Sequence, residues 1–309
     1  MRRWAVLAAL AVTGVVSVLA GAPPASAAAA DPASPRLVVV GAPGLSWSDL
    51  DGGDLPALDA LASQGALGSL TVRAVRSRAC AVDGWLTLSA GRRAADAPGP
   101  CREPVPVVDG SVPRWAEYVA AAGSESYDAR PGTLGDGVTA SGACVETVGP
   151  GAAIGGAEVS GLVTRYSADL PAAFSCPVVL VDGGTLPESG AARAAALARL
   201  DALVARVGAA DPGADLVVAG VGDGDSAVRP RAILAAGPSY GPGLLTSAST
   251  RQPGVAQLQD VTASALTRVG ASDAAVTGRP LTVTATGSAA SLVAGLVGFE
   301  TRAATLRAL

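Results

Sequence analysis

Four short apolar runs place the strongest constraint on this chain: residues 36–41 (RLVVVG), 177–182 (PVVLVD), 215–219 (DLVVA) and 231–235 (RAILA). None alternates apolar with polar side chains, so each reads as a strand covered on both faces. Helical patterns lie between them. Residues 55–63 form one, with Asp54 as cap, Pro56 in the first turn and Leu58, Leu61 and Ala62 on one face; Gly65 ends it. Others start at 84–90 and run over 115–122, 191–207 and 261–269, and residues 68–75 read as a further strand. Strands alternating with helices imply an α/β fold, a mostly parallel sheet sandwiched by helices.

The stretch 102–176 is rich in Gly, Pro and Ser, with apolar pieces only at 105–108 and 162–166. It reads as an insertion or cap away from the sheet. The expected organisation is a leader over 1–27, a lead-in over 28–35, a single domain over 36–285 and a helical tail over 286–309. The leader rests on Arg2-Arg3, an apolar run broken by Pro23-Pro24, and the small residues Ala25-Ser26-Ala27. Those are the parts of a secretory signal peptide, and an uncleaved anchor is the alternative. No later segment is long enough to span a bilayer; residues 289–299 are apolar but too short.

Export agrees with the cysteines. Cys80, Cys101, Cys144 and Cys176 form an even set without C-x-x-C spacing, which favours structural disulfides over metal ligation or redox chemistry. Three pairings are open. The sequential one closes two short loops and stabilises by about 3 kcal/mol per bridge.

The sequence has no histidine and no lysine, and its formal net charge is −4. An acidic chain without a basic stripe excludes nucleic acid as a partner. A Ser-His-Asp triad or Cys-His pair has no base, and a Ser-Lys dyad has no lysine. Residues 220–225 (GVGDGD) lack G-x-G-x-x-G spacing, and Pro230 interrupts the helix that a pyrophosphate needs. Residues 49–54 (DLDGGD) lack the ligands of a calcium loop. No cofactor is expected.

The order of motifs resembles the alkaline phosphatase superfamily of sulfatases, phosphodiesterases and phosphomutases. Residues 230–238 (PRAILAAGP), 242–251 (PGLLTSASTR) and 254–266 (GVAQLQDVTASAL) look like that family's last strand, ligand loop and "DxxPTxL" helix. Residues 37–49, 55–68 and 85–91 look like its opening strand, "LPxLxxLxxxGa" helix and nucleophile-bearing helix. The likeness covers 36–93 and 177–270, not the middle. It implies a metal-binding Asp where this chain has Pro43, and a nucleophile where it has Ala81 or its neighbour Cys80. It implies Asp-His after the third strand, where Asp182 stands without the His. An Asp-His-Gly becomes Gly222-Asp223-Gly224, and the last ligand His falls near Thr250-Arg251. On that resemblance the chain is a degenerate member, a pseudoenzyme binding or scaffolding at the cell envelope, its partner an envelope protein or glycan. Membrane association would come through an uncleaved N-terminus or a C-terminal region beyond this chain.

Two other readings stay open. Asp182, Asp223 and Asp225 end adjacent strands and could form a carboxylate or weak divalent-metal site for phosphate or sulfate esters, although Asp in such loops ordinarily caps backbone amides. Trp47, Trp85 and Trp115 could line a carbohydrate or peptide groove, although aromatics more often fill gaps between helix and sheet. Thr87 and Ser89 read as helix residues, and Arg251 either binds an anion or pairs with Asp223.

Overall fold

A computed structural model of the protein describes residues 35–52, 54–224, 227–284 and 287–307. The leader expected over 1–27 lies outside them, as does Asp225.

The apolar runs form the middle of one sheet. β1 (Leu37–Gly41) lies between β5 (Val178–Asp182) and β6 (Asp215–Ala219), parallel to both. β3 (Val145–Val148) and β4 (Tyr166–Ser167) extend the parallel set on one side. On the other side come β7 (Arg231–Ala236), β2 (Ala66–Thr71), β8 (Gly243–Ser247) and β10 (Leu281–Thr284), with β9 (Val255–Gln257) also on β2. Among the described strands only β7 and β10 run against their neighbours. The fold is α/β, a mostly parallel sheet between helices, as the alternation of elements implied.

Alternate residues of β1 enter different cores. Leu37 and Val39 pack with α2 (Ala81–Ala90), α4 (Thr133–Ala140), α5 (Pro150–Gly156) and α7 (Leu258–Arg268). Val38 and Val40 pack with α1 (Pro56–Gln64), α6 (Gly190–Ala210) and α8 (Ala289–Arg307). α3 (Trp115–Gly123) adds Trp115 and Tyr118 to the first core. This period of two makes both faces of β1 apolar.

Two local expectations are corrected. The stretch 102–176 is not confined to a cap: β3 pairs with β5 along its whole length, and α5 packs on α2. Its segments are short and separated by glycine turns, so the periodicity that marks a strand never accumulates. Asp54 does not cap α1, whose N-cap is Leu55 with no side-chain bond. The Leu58 amide instead donates to Asp201 Oδ1 of α6 at 2.9 Å, so a distant helix supplies the capping oxygen. The tail also packs inward: Glu300 of α8 is buried and accepts from the Trp47 amide at 2.7 Å.

Candidate functional site

Open parallel sheets place ligands at the carboxyl ends of their strands, where the connections diverge. Here the register sets Gly41, Asp182 and Ala219 level, and Val148 beside Val181 puts Gly149 at the same rim. The loops behind the strands are stitched together. Gly44 N donates to Gly222 O at 2.8 Å, Gly183 N to Gly41 O at 2.8 Å and Asp223 N to Ala79 O at 2.7 Å.

α2 starts at this rim. Ala81 is its first residue and is buried, a methyl group where a nucleophile was implied. Cys80 is held in a disulfide with Cys101, so it offers no thiol, and Cys144 pairs with Cys176. The sequential pairing is therefore the one formed. Gly84 allows the helix to approach the end of β6, because a Cβ there would stand 1.9 Å from the Val221 carbonyl oxygen. Asp83 closes the first turn by accepting from Cys80 N at 2.9 Å, and accepts from Asp96 N at 2.7 Å. Burial pushes its carboxyl above the ordinary range, while those amides and Arg76 pull the other way. Thr87 and Ser89 are buried on the helix: Thr87 Oγ1 donates to Ala94 O, and Ser89 Oγ accepts from Gly132 N.

Asp223 is neutralised within the protein. Its Oδ1 accepts from Arg231 Nε at 3.1 Å and Nη2 at 2.7 Å, and its Oδ2 accepts from Ala79 N at 2.8 Å. Arg231 is fully buried, and its guanidinium also donates to Gly44 O and Ala227 O. Burial pulls that guanidinium down from its ordinary value, and the adjacent Asp223 carboxylate opposes the shift. The partner of Asp223 is thus Arg231 rather than Arg251, which is exposed on the β8–β9 loop with a left-handed backbone (φ 56°). Arg231 opens an otherwise apolar strand, and that lone charge inside a buried run was the readable sign of an internal ion pair.

Asp182 occupies a different cavity. Its Oδ2 accepts from Gly151 N at 2.7 Å and its Oδ1 from Gly184 N at 2.9 Å. The space in front of it, about 360 Å³, is bordered by Trp85, Glu103, Pro104, Asp182 and Thr185. Burial raises the Asp182 carboxyl above the ordinary range, the two amides lower it, and the negative charge of Glu103 raises it again. Glu103, which the sequence reading did not single out, lies two residues beyond Cys101, so the Cys80–Cys101 bridge tethers it near the start of α2. Asp223 instead borders a cavity with Arg73 and Arg229. The two aspartates therefore do not share one pocket.

The paired metals that the resemblance implies do not fit these donors. Pro43 is buried and offers no side-chain ligand; its carbonyl accepts from Leu186 N. Asp182 and Asp223 each have both oxygens engaged by N–H donors. Among the described residues no group of three or more His, Cys, Asp or Glu could hold a metal ion. The tryptophan groove is also corrected. Trp47 and Trp85 are both fully buried and belong to opposite cores, and Trp115 is buried beneath the 158–161 turn, donating to Val159 O. Their large apolar surfaces fill helix–sheet gaps.

No protein-family model matches the chain, and no curated protein matches it in sequence. Solved structures do resemble it in shape. Ps i-CgsB in complex with k-i-k-neocarrahexaose is 10% identical at TM-score 0.45, covering 78% of this chain and 73% of that one. A protein in the alkaline phosphatase superfamily from Vibrio parahaemolyticus is 14% identical at 0.45, covering 80% and 69%. A 2-O GAG sulfatase is 12% identical at 0.44, covering 78% and 71%. None is close enough to lend this chain its chemistry.

Proposed function

We propose that this chain is an extracytoplasmic, alkaline-phosphatase-like domain that has given up ester chemistry and works by binding, in the service of an envelope protein or glycan. The observation that carries this reading is the Asp223–Arg231 pair. A carboxylate at the sheet rim, available to a metal in a catalytic member, is here saturated by a buried guanidinium and a backbone amide. The remaining cleft adds support. Among the described residues Asp182 and Glu103 are the ionisable groups bordering it and no arginine lines it, so an anionic phosphate or sulfate ester meets repulsion there. Two disulfides favour maturation in an oxidising compartment. Among the described residues no helix is long and apolar enough to cross a membrane.

A direct test combines metal analysis of the purified protein with hydrolysis of p-nitrophenyl phosphate and p-nitrophenyl sulfate, with and without added zinc. The expected result is substoichiometric metal and no turnover above the protein-free blank. Stoichiometric zinc together with ester turnover would overturn the proposal and favour a divalent-metal hydrolase.

A further inference from the structure

We infer that the pocket between the β2–α2 loop and the β6–β7 loop takes one carboxylate group of an organic anion, with Arg73 as its counter-ion. The inference deepens the binding role proposed above and rests on it. The pocket shares no residue with the Asp182 cavity.

The sequence concentrates positive charge here. Residues 73–78 (RAVRSR) hold three arginines in a chain whose formal net charge is −4. They lie in the β2–α2 loop, which is fastened to the β6–β7 loop. Arg78 donates to Gly224 O from Nε at 3.1 Å and from Nη2 at 2.7 Å, and Ala79 N donates to Asp223 Oδ2 at 2.8 Å. The two loops enclose about 120 Å³, bordered by Thr71, Arg73, Ser77, Asp223, Arg229 and Pro230. Pockets for whole drug-sized ligands start at roughly 300 Å³, so this one admits a single group presented from outside.

The guanidiniums around the pocket are matched with carboxylates, except for that of Arg73. Arg231 holds Asp223, and Arg229 Nη1 donates to Glu300 Oε1 at 2.9 Å. Arg73 is exposed and has no partner among the described residues. Positive charge is therefore in excess here. Its effect reaches Arg231: burial lowers that guanidinium, Asp223 opposes the fall, and the neighbouring charge of Arg229 adds to it. Donors are in excess too. Among the described residues the Thr71 and Ser77 hydroxyls have no partner, and neither does the buried Nε of Arg229. A carboxylate brings one negative charge and two acceptor oxygens, which an arginine fork and a nearby hydroxyl satisfy. A phosphate dianion exceeds the single missing charge, and a neutral group leaves Arg73 unmatched. Arg73, Ser77 and Arg229 stand at none of the positions where the superfamily resemblance implied a ligand.

Isothermal titration calorimetry of the purified protein, at an ionic strength held constant with chloride, tests this. The probes are glucuronate and N-acetylglutamate, with glucose and N-acetylglutamine as their neutral counterparts and inorganic phosphate as the dianion. One or both carboxylates are expected to bind saturably at one per chain, and the tighter of them tells a sugar acid from an amino-acid side chain. The neutral counterparts are expected to give no binding heat. Arg73→Gln, a change at an exposed residue, is expected to keep the melting temperature and weaken binding roughly tenfold. Arg206→Gln, equally exposed but on α6, is expected to leave affinity unchanged. The inference is overturned if neither carboxylate binds, or if a neutral counterpart or phosphate binds as tightly. It is also overturned if Arg73→Gln has no effect, or if Arg206→Gln weakens binding as much. A silent titration without ester turnover sinks only this inference; ester turnover sinks the proposed function itself.

Discussion

Arg231 and Asp223 show how one side chain can decide the fate of a site. A buried carboxylate beside a strand end needs a partner, and this chain supplies a permanent internal cation. Arg231→Met should therefore destabilise by about 3–5 kcal/mol in chemical denaturation, because Asp223 is left charged, buried and without its counterion. Adding Asp223→Asn to that variant should recover part of the loss, since Asn keeps an acceptor for Ala79 N and carries no charge. Equal stability of Arg231→Met and wild type would refute the internal-cation reading. Asp83 makes a second prediction, of opposite character. Its carboxyl lies above the ordinary range in the folded state, chiefly through burial. The folded chain then binds this proton more tightly than the unfolded chain does. Its charge costs stability above the folded pKa, and that cost is relieved as pH falls through the folded pKa towards the ordinary value. The stability of wild type relative to Asp83→Asn should rise as the pH is lowered from neutrality towards the ordinary aspartate range of about 4. Denaturation curves at several pH values check this, and a flat or falling difference contradicts it.

Among the elements, α2 has the most influence on the cleft. It is buried along its whole length and packs between α5 and α7, with its first turn at the sheet rim. Its position depends on the absence of a side chain at Gly84. Gly84→Ala should push the helix from the Val221 carbonyl and cost about 1–3 kcal/mol in the melting or denaturant midpoint, although alanine is the better helix former. A neutral or stabilising result would show that the close approach is not needed. The Cys80–Cys101 bridge joins the same helix start to the Glu103 loop, bringing an acidic residue from a weakly patterned stretch to the cleft. The second bridge, Cys144–Cys176, ties the residue before β3 to the segment entering β5, two neighbouring strands.

At the scale of the whole molecule, stability comes from two apolar cores on opposite faces of one sheet, joined through strands whose side chains alternate between them. Among the described residues nothing in that arrangement calls for a structural ion. The melting temperature should accordingly be the same with excess EDTA as with added zinc, measured by differential scanning fluorimetry. A drop of several degrees with EDTA would reveal a metal contribution. The same layered design explains which parts of the fold were legible. The apolar strands β1, β5, β6 and β7 and helices α1, α6 and α7 carry their periodicity within a few residues. By contrast, β3 is four residues long, and its membership of the sheet depends on β5, some thirty residues later.

Imidazole chemistry is ruled out, a covered, mostly parallel sheet is expected, and an even set of cysteines is available to pair before any fold is known. These are matters of composition and short-range pattern. Long-range packing sets Arg231 on Asp223, brings Asp182 and Glu103 to one cavity and turns Trp47 and Trp85 towards opposite cores. The reason is physical. A side chain's chemistry is carried in its own formula, but its partners are chosen by the crossing of elements far apart in the chain, where burial makes each pairing obligatory.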